Sequence, residues 1–167
     1  MLPVQAPAGP LHHTITVDGS YGFARKVAGV GLVIQQSDRP RRRGQVVDAI
    51  AEAFVGVPAG HVEALAVLRA LEIAAERAFC IVKIRSDHNQ LRRTLREHHQ
   101  SQDTEVRDGL QGVILRLARG FDEVTFSYVP RRKNQQAHKL ARRAVHEAAP
   151  RSRLDLFPSP PLALRAG

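Results

Sequence analysis

The sequence predicts an α/β domain: one mixed sheet of five strands, the first three antiparallel and the fourth and fifth parallel to the first, with helices on both faces. Three observations predict it. Residues 14–57 carry three extended apolar segments parted only by short turns, which is the pattern of an antiparallel meander. Stripes of helical period follow at 61–78, 104–119 and from 135 onward. Between these helices lie two short β-rich runs, 80–86 and 124–129, the spacing of strands joined by helical crossovers. The element order is βββ-α-β-α-α-β-α, with no internal repeat.

In the first strand Ile15 and Val17 share one face, while Thr14, Thr16 and Asp18 share the other. The strand is expected to stop at Asp18, because Asp-Gly is a common turn dipeptide. The second strand, about 27–36, holds Gly29 and Gly31 at a spacing suited to close backbone approach. A turn at 37–44 carries Arg39, Arg41, Arg42 and Arg43, a solvated loop that is also placed to touch a phosphate backbone. The third strand runs over about 45–57. Pro58, Ala59 and Gly60 break it, and a helix follows whose inward stripe is Ala64, Val67, Leu68, Leu71, Ala74, Ala75 and Ala78. Glu63 sits in its first turn, where the helix dipole alone would favour a carboxylate.

Asp87 closes the fourth strand and can serve as N-cap of the next helix, which carries Leu91 and Leu95 inward and Arg92, Arg93 and Arg96 outward. Val124, Phe126 and Tyr128 share a face of the fifth strand. Arg131, Arg132 and Lys133 make a basic loop before the last helix, striped by Ala137, Leu140, Ala141, Ala144, Val145 and Ala148. Residues 1–11 and 150–167 are proline-bearing and lack periodicity, so they are expected to be a disordered lead-in and an extended or disordered tail around a domain at 12–149.

Apolar residues make up 43% of the 167 and charged residues 25%, values of a soluble globular domain. No apolar run is long enough to cross a bilayer, and no signal-type leader is present, so a cytoplasmic monomer without an obligate protein partner is expected. Cys80, the single cysteine, is read as a core thiol. Twenty-five Lys+Arg against sixteen Asp+Glu give a net charge of +9, which favours polyanions as partners, nucleic acid first.

Three carboxylates occupy comparable places: Asp18 and Asp87 at the ends of strands one and four, Glu63 at the start of the helix between. His138 begins the helix after strand five. If strands one and four are neighbours, all four converge at one end of the sheet. Carboxylates so gathered repel one another unless a cation intervenes. Oxygen ligands of this kind suit Mg²⁺ or Mn²⁺, and a pair of such ions is a common apparatus for phosphodiester cleavage.

On these residues the chain resembles the type 1 ribonuclease H family. ITVDGS (15–20) with AGVGLVI (28–34) is similar to the family's first hairpin, and EALAVLRAL (63–71) to the helix that carries its glutamate. IRSD (84–87) resembles the segment of its second aspartate, and NQQAHKLA (134–141) its final helix. The resemblance spans about residues 14–148. It implies the RNase H-like fold and hydrolysis of the RNA strand of an RNA–DNA hybrid with two ions per site, Mg²⁺ or Mn²⁺. Asp18 would bridge both ions, and Glu63, Asp87 and His138 would complete the ligand and catalytic set. Contacts to nucleic acid would come from Ser20, Asn89, Arg131, Arg132 and Asn134.

The chain departs from the family pattern at named places. His138 stands where most members carry aspartate; a neutral imidazole still ligates a metal but is softer and uncharged. The loop before Glu63 lacks the asparagines that often touch RNA, so reading of ribose hydroxyls falls to backbone groups or to Asn89 and Asn134. The extra basic helix of some members is absent, and so is the histidine of the loop before the last helix. Two other functions therefore stand beside a hybrid-cleaving ribonuclease: a DNA nuclease or resolvase-like member of the superfamily, and a nucleic-acid-binding module without catalysis.

Overall fold

The computed structural model describes residues 9–101 and 109–157. Its elements are β1 (His12–Gly22), β2 (Val27–Ser37), β3 (Gln45–Val55), α1 (Val62–Glu76), β4 (Ile81–Ser86), α2 (Asn89–Ser101), α3 (Leu110–Ala118), β5 (Glu123–Tyr128), α4 (Gln135–Glu147) and β6 (Pro150–Ser152). One sheet runs in the order β5-β4-β1-β2-β3-β6. β1, β2 and β3 are antiparallel neighbours, β4 and β5 lie parallel to β1, and β6 lies parallel to β3. The mixed sheet of the sequence reading is thus present, with six strands in place of five.

Hydrophobic burial positions the layers. In β2 residues 27–34 are buried on both faces, because helices cover the sheet on either side. α1 is buried almost all round, Arg69 included, since it lies between the sheet and α3. On the other face, among the described residues, α4 packs against β1, β2 and β3. It lies directly on backbone: a Cβ at Gly31 would run into the Ala137 carbonyl oxygen, and one at Gly29 into that of Ala141. The glycine spacing read from the sequence serves this close approach.

Several expectations are corrected. β1 does not stop at Asp18 but continues to Gly22, paired with β2 throughout; what stops is its parallel ladder to β4, whose last pair is Val17 with Ser86. Ala75 and Ala78 are exposed, because α1 ends at Glu76. The chain leaves it through Ala78 in the left-handed region (φ 54°), with Phe79 N–H bonded to Ala74 O at 2.9 Å and Ala78 N–H to Ala75 O at 3.1 Å. Cys80 is exposed in the following turn and not a core thiol. The tail does begin extended, one of its two expected forms, and it is paired: Pro150–Ser152 adds a strand to the edge of β3, and Arg153 N–H bonds Val55 O at 3.0 Å. Proline is tolerated there because it opens an edge strand. The expected lead-in at 1–8, the start of a helix at Thr104, and the tail from 158 lie outside the described residues. Among the described residues no helix is long and apolar enough to cross a membrane.

Candidate active site

The split between β1 and β4 builds the site. Beyond Val17 and Ser86 the two strands part, and Asp18 and Asp87 are the first residues past the last shared pair. α1 begins against this fork: a Cβ on Gly19 would lie 2.7 Å from Val62 Cγ1, so Gly19 lets the helix start abut the strand and brings Glu63 to the carboxylates. One ligand oxygen each from Asp18, Glu63 and Asp87 lies within 4.8 Å of the others. The condition stated from the sequence, that strands one and four be neighbours, is met.

The electrostatics are those of an uncompensated cluster. Burial raises Asp18, which is 4% exposed; a hydrogen bond with His138 lowers it, the Asp87 charge raises it again, and the net direction is up. Burial also drives Glu63, from 4.5 to about 8, with the charges of Asp18 and Asp87 adding to the rise. Glu63 Oε2 is buried without a hydrogen-bond partner. A buried carboxylate oxygen without a partner, on a side chain clustered with two other carboxylates, fits a hard divalent cation, which would return the missing interaction.

His138 stands in the first turn of α4, with its N–H on Asn134 O at 3.0 Å. Its Nδ1 lies 2.7 Å from Asp18 Oδ2, so with Asp18 ionised the Nδ1–H donates to it. It is not one of the three residues whose ligand atoms cluster.

The expected nucleic-acid contacts divide. Arg131 and Arg132 are exposed on a 3-10 turn at 131–133, and Arg131 is close enough to Glu63 to act on its charge. Asn89 is exposed at the start of α2, its Oδ1 accepting from Arg92. Ser20 is half-buried on β1, on the same face as Asp18. Asn134 corrects the expectation: it is 1% exposed, and its Nδ2 donates to Val17 O at 3.0 Å. It caps a β1 carbonyl where the ladder to β4 ends, and offers no surface to a ligand. The arginines at 39–43 lie away from the carboxylates. They sit on the β2–β3 turn, beside His12 and six residues of β1 from Asp18, which at ~3.3 Å per residue is about 20 Å.

The N-cap reading of Asp87 is replaced as well. His88 Nδ1 accepts from Leu91 N–H at 3.2 Å, and Ser86 Oγ from His88 N–H at 3.1 Å, which leaves the Asp87 carboxylate free for the cluster. The sequence reading passed over His88. Its spacing three before Leu91, just ahead of a helical stripe, is the signal that would have found it.

A family model described as reverse transcriptase-like matches residues 16–144. No curated protein matches the chain by sequence. Among solved structures, RNase H1 from the halophilic archaeon Halobacterium salinarum is 26% identical with a TM-score of 0.61, covering 80% of this chain and 97% of its own. The N-terminal RNase H domain of a Mycobacterium tuberculosis protein is 20% identical with a TM-score of 0.63, covering 83% and 96%. LC11-RNase H1, in complex with an RNA/DNA hybrid, is 20% identical with a TM-score of 0.59, covering 81% and 98%. A match over residues 16–144, on this sheet and with these acids at its fork, makes the chain a member of the reverse transcriptase-like family, whose fold it shares with type 1 ribonucleases H.

Proposed function

We propose that the protein is a metal-dependent endonuclease that hydrolyses the RNA strand of RNA–DNA hybrids. The observation that carries this reading is the three-carboxylate cluster, buried enough to hold Glu63 near 8 and lacking any Lys or Arg ion pair among the described residues. Asp18, Glu63 and Asp87, with His138 through Nε2, would hold two divalent ions, Mg²⁺ or Mn²⁺. When bound, such ions polarise the phosphoryl oxygens and lower the pKa of a water.

The chain's own residues do the rest. Asp18 is fixed from one side by its strand and from the other by His138, so its oxygens are oriented before any ligand arrives. Glu63, neutral when the site is empty near neutral pH, must release its proton on loading. Arg131 and Arg132 lie on the rim to meet the phosphates flanking the scissile bond. Cleavage would leave a 5′-phosphate and a 3′-hydroxyl. The same reading takes the protein as a cytoplasmic monomer.

A second reading, cleavage of DNA, is favoured by His138 and by the loop Pro58, Ala59 and Gly60, which offers no amide side chain to ribose. Labelled hybrid, duplex DNA and a four-way junction, each with Mg²⁺, Mn²⁺ or chelator, separate the readings. Cutting of hybrid alone is expected. Cutting of DNA transfers the assignment to the second reading, and binding without cutting to a non-catalytic module.

A further inference from the structure

Beside α4, on the same face of the sheet, runs a groove of about 1000 Å³. Its floor is polar by strand alternation: Thr14 and Thr16 of β1, Lys83 and Arg85 of β4 and Thr125 of β5 share this face, in register across the three strands. One end opens at Lys133 and the start of α4, next to Asn134, which is bonded to the residue before Asp18. The other end is the β2–β3 turn with its four arginines, about 20 Å from Asp18 along β1.

The charge along this path is one-sided. Lys83, Arg85, Lys133 and the four arginines line it against a single carboxylate, Glu123. Among the described residues only Arg42 has an acidic partner, Asp38 at 3.5 Å, and both side chains are more than half exposed. Elsewhere the buried Arg69 and the half-buried Arg153 are ion-paired. Unpaired cations and hydroxyls in a concave track suit a row of phosphates. The rings present are His12 and His13, and His13 is already stacked on Phe79 at 3.5 Å between centroids. The groove thus lacks both the aromatic shelf that would read bases and the aromatic anchor pocket that a protein partner would fill.

We propose that this groove binds one strand of nucleic acid by its phosphates, so that a single-stranded extension of the substrate leaves the metal centre over Lys133 and passes along Arg85 and Lys83 to the arginine turn. The direction of travel rests on the nuclease reading; the binding does not.

The test uses the full chain in chelator, with fluorescence anisotropy of a short labelled oligothymidylate against wild type and the triple variant Arg41→Glu, Arg43→Glu, Lys83→Glu. Affinity should fall by at least about tenfold, and the log–log salt slope by about 2, at ~0.7 per lost phosphate contact for single strands. In Mg²⁺ or Mn²⁺ the triple variant should cut a short blunt hybrid within about twofold of wild type, and lose any preference for hybrids with long overhangs. Unchanged affinity and slope would overturn the proposal. Tighter binding of poly-glutamate than of oligothymidylate at matched length would overturn it in favour of an acidic protein partner. On wild type alone, the oligonucleotide should protect Lys83 and Lys133 from acetylation, and absence of protection overturns the proposal even if the variant misfolds. Oligothymidylate binding with no cutting of hybrid by wild type would sink the nuclease reading and support the groove.

Discussion

The protein holds two clusters of acidic side chains on one sheet, and they are built in opposite ways. At the outer edge Glu52 and Glu72 are interleaved with arginines: Arg69 bonds both, Arg153 grips Glu72 at 2.9 and 3.0 Å, and Arg151 meets Glu52 at 3.2 Å. Burial opposes the charge on Glu72, but hydrogen bonds from Arg153 and Arg69 outweigh it and hold the carboxyl below its usual value. At the fork no Lys or Arg ion-pairs with Asp18, Glu63 or Asp87 among the described residues; Arg131 acts on Glu63 only from a distance, and burial moves Asp18 and Glu63 up. Density of carboxylates does not separate a site from a structural network; the missing counter-charge does. The edge cluster fastens β6 and the residues after it to the domain. The fork carries no such ion pair among the described residues, an arrangement that suits a cation.

The contrast can be broken from either side. Asp18→Asn should cost the most: loss of cleavage by about a thousandfold or more, about 4 kcal/mol of barrier, with the fold kept as judged by circular dichroism. Turnover near wild type would end the nuclease reading. At the edge, Arg69→Met should instead cost stability, about 2 kcal/mol in denaturant unfolding, because it leaves Glu52 with Arg151 alone and Glu72 with Arg153 alone. Activity per folded molecule should be unaffected.

Glu63→Gln should do the reverse in metal-free protein. The folded pKa, about 8, lies above the model value of 4.5, so the protonated form is favoured on folding. Stability from this group is complete below about 4.5 and lost as pH rises through about 8. Unfolding in chelator should therefore show stability declining over that window in wild type and a flatter profile in Glu63→Gln. The variant should be more stable at pH 8 by on the order of 4 kcal/mol. A parallel pair of profiles would show that Glu63 is ionised in the empty site.

His138→Ala should lower hybrid turnover about 10- to 100-fold with either metal, by freeing Asp18 and removing a ligand nitrogen. His138→Asp should shift the preference from Mn²⁺ toward Mg²⁺, since oxygen suits the harder ion. If His138→Ala equals wild type in both metals across pH, the residue is a bystander. The smallest effect belongs to neither cluster: Ala78→Gly, at the left-handed position after α1, should stabilise by about 1 kcal/mol and leave activity alone, a baseline for the other variants.

Much of this was legible in the chain. Periodicity located five strands and the helices, strand parity separated Lys83 and Arg85 from Val82 and Ile84, and the order of Asp18, Glu63 and Asp87 marked the fork. What periodicity cannot carry is the end of the sheet at which a side chain arrives. The arginine turn reads as a loop able to touch a phosphate backbone, and only the antiparallel hairpin shows that it lies at the end of the sheet opposite the acids. β6 is three residues long and opens on proline, too short for any alternation to register. Asn134 reads as a ligand group because its burial depends on a carbonyl freed 117 residues earlier. Cys80 was misread because an apolar run says nothing of where the strand within it begins.

That distance in sequence has a consequence in time. Asn134 reaches Val17 and His138 reaches Asp18 across 117 and 120 residues, so the first strand and its finishing helix leave the ribosome far apart. At about 5–20 residues per second, Asp18 waits roughly 6 to 24 seconds for the histidine that orients it. During that interval the nascent chain can already hold its hairpin of β1 and β2, but not the assembled centre. A carboxylate cluster completed by α4 stays unfinished while most of the domain is still being made.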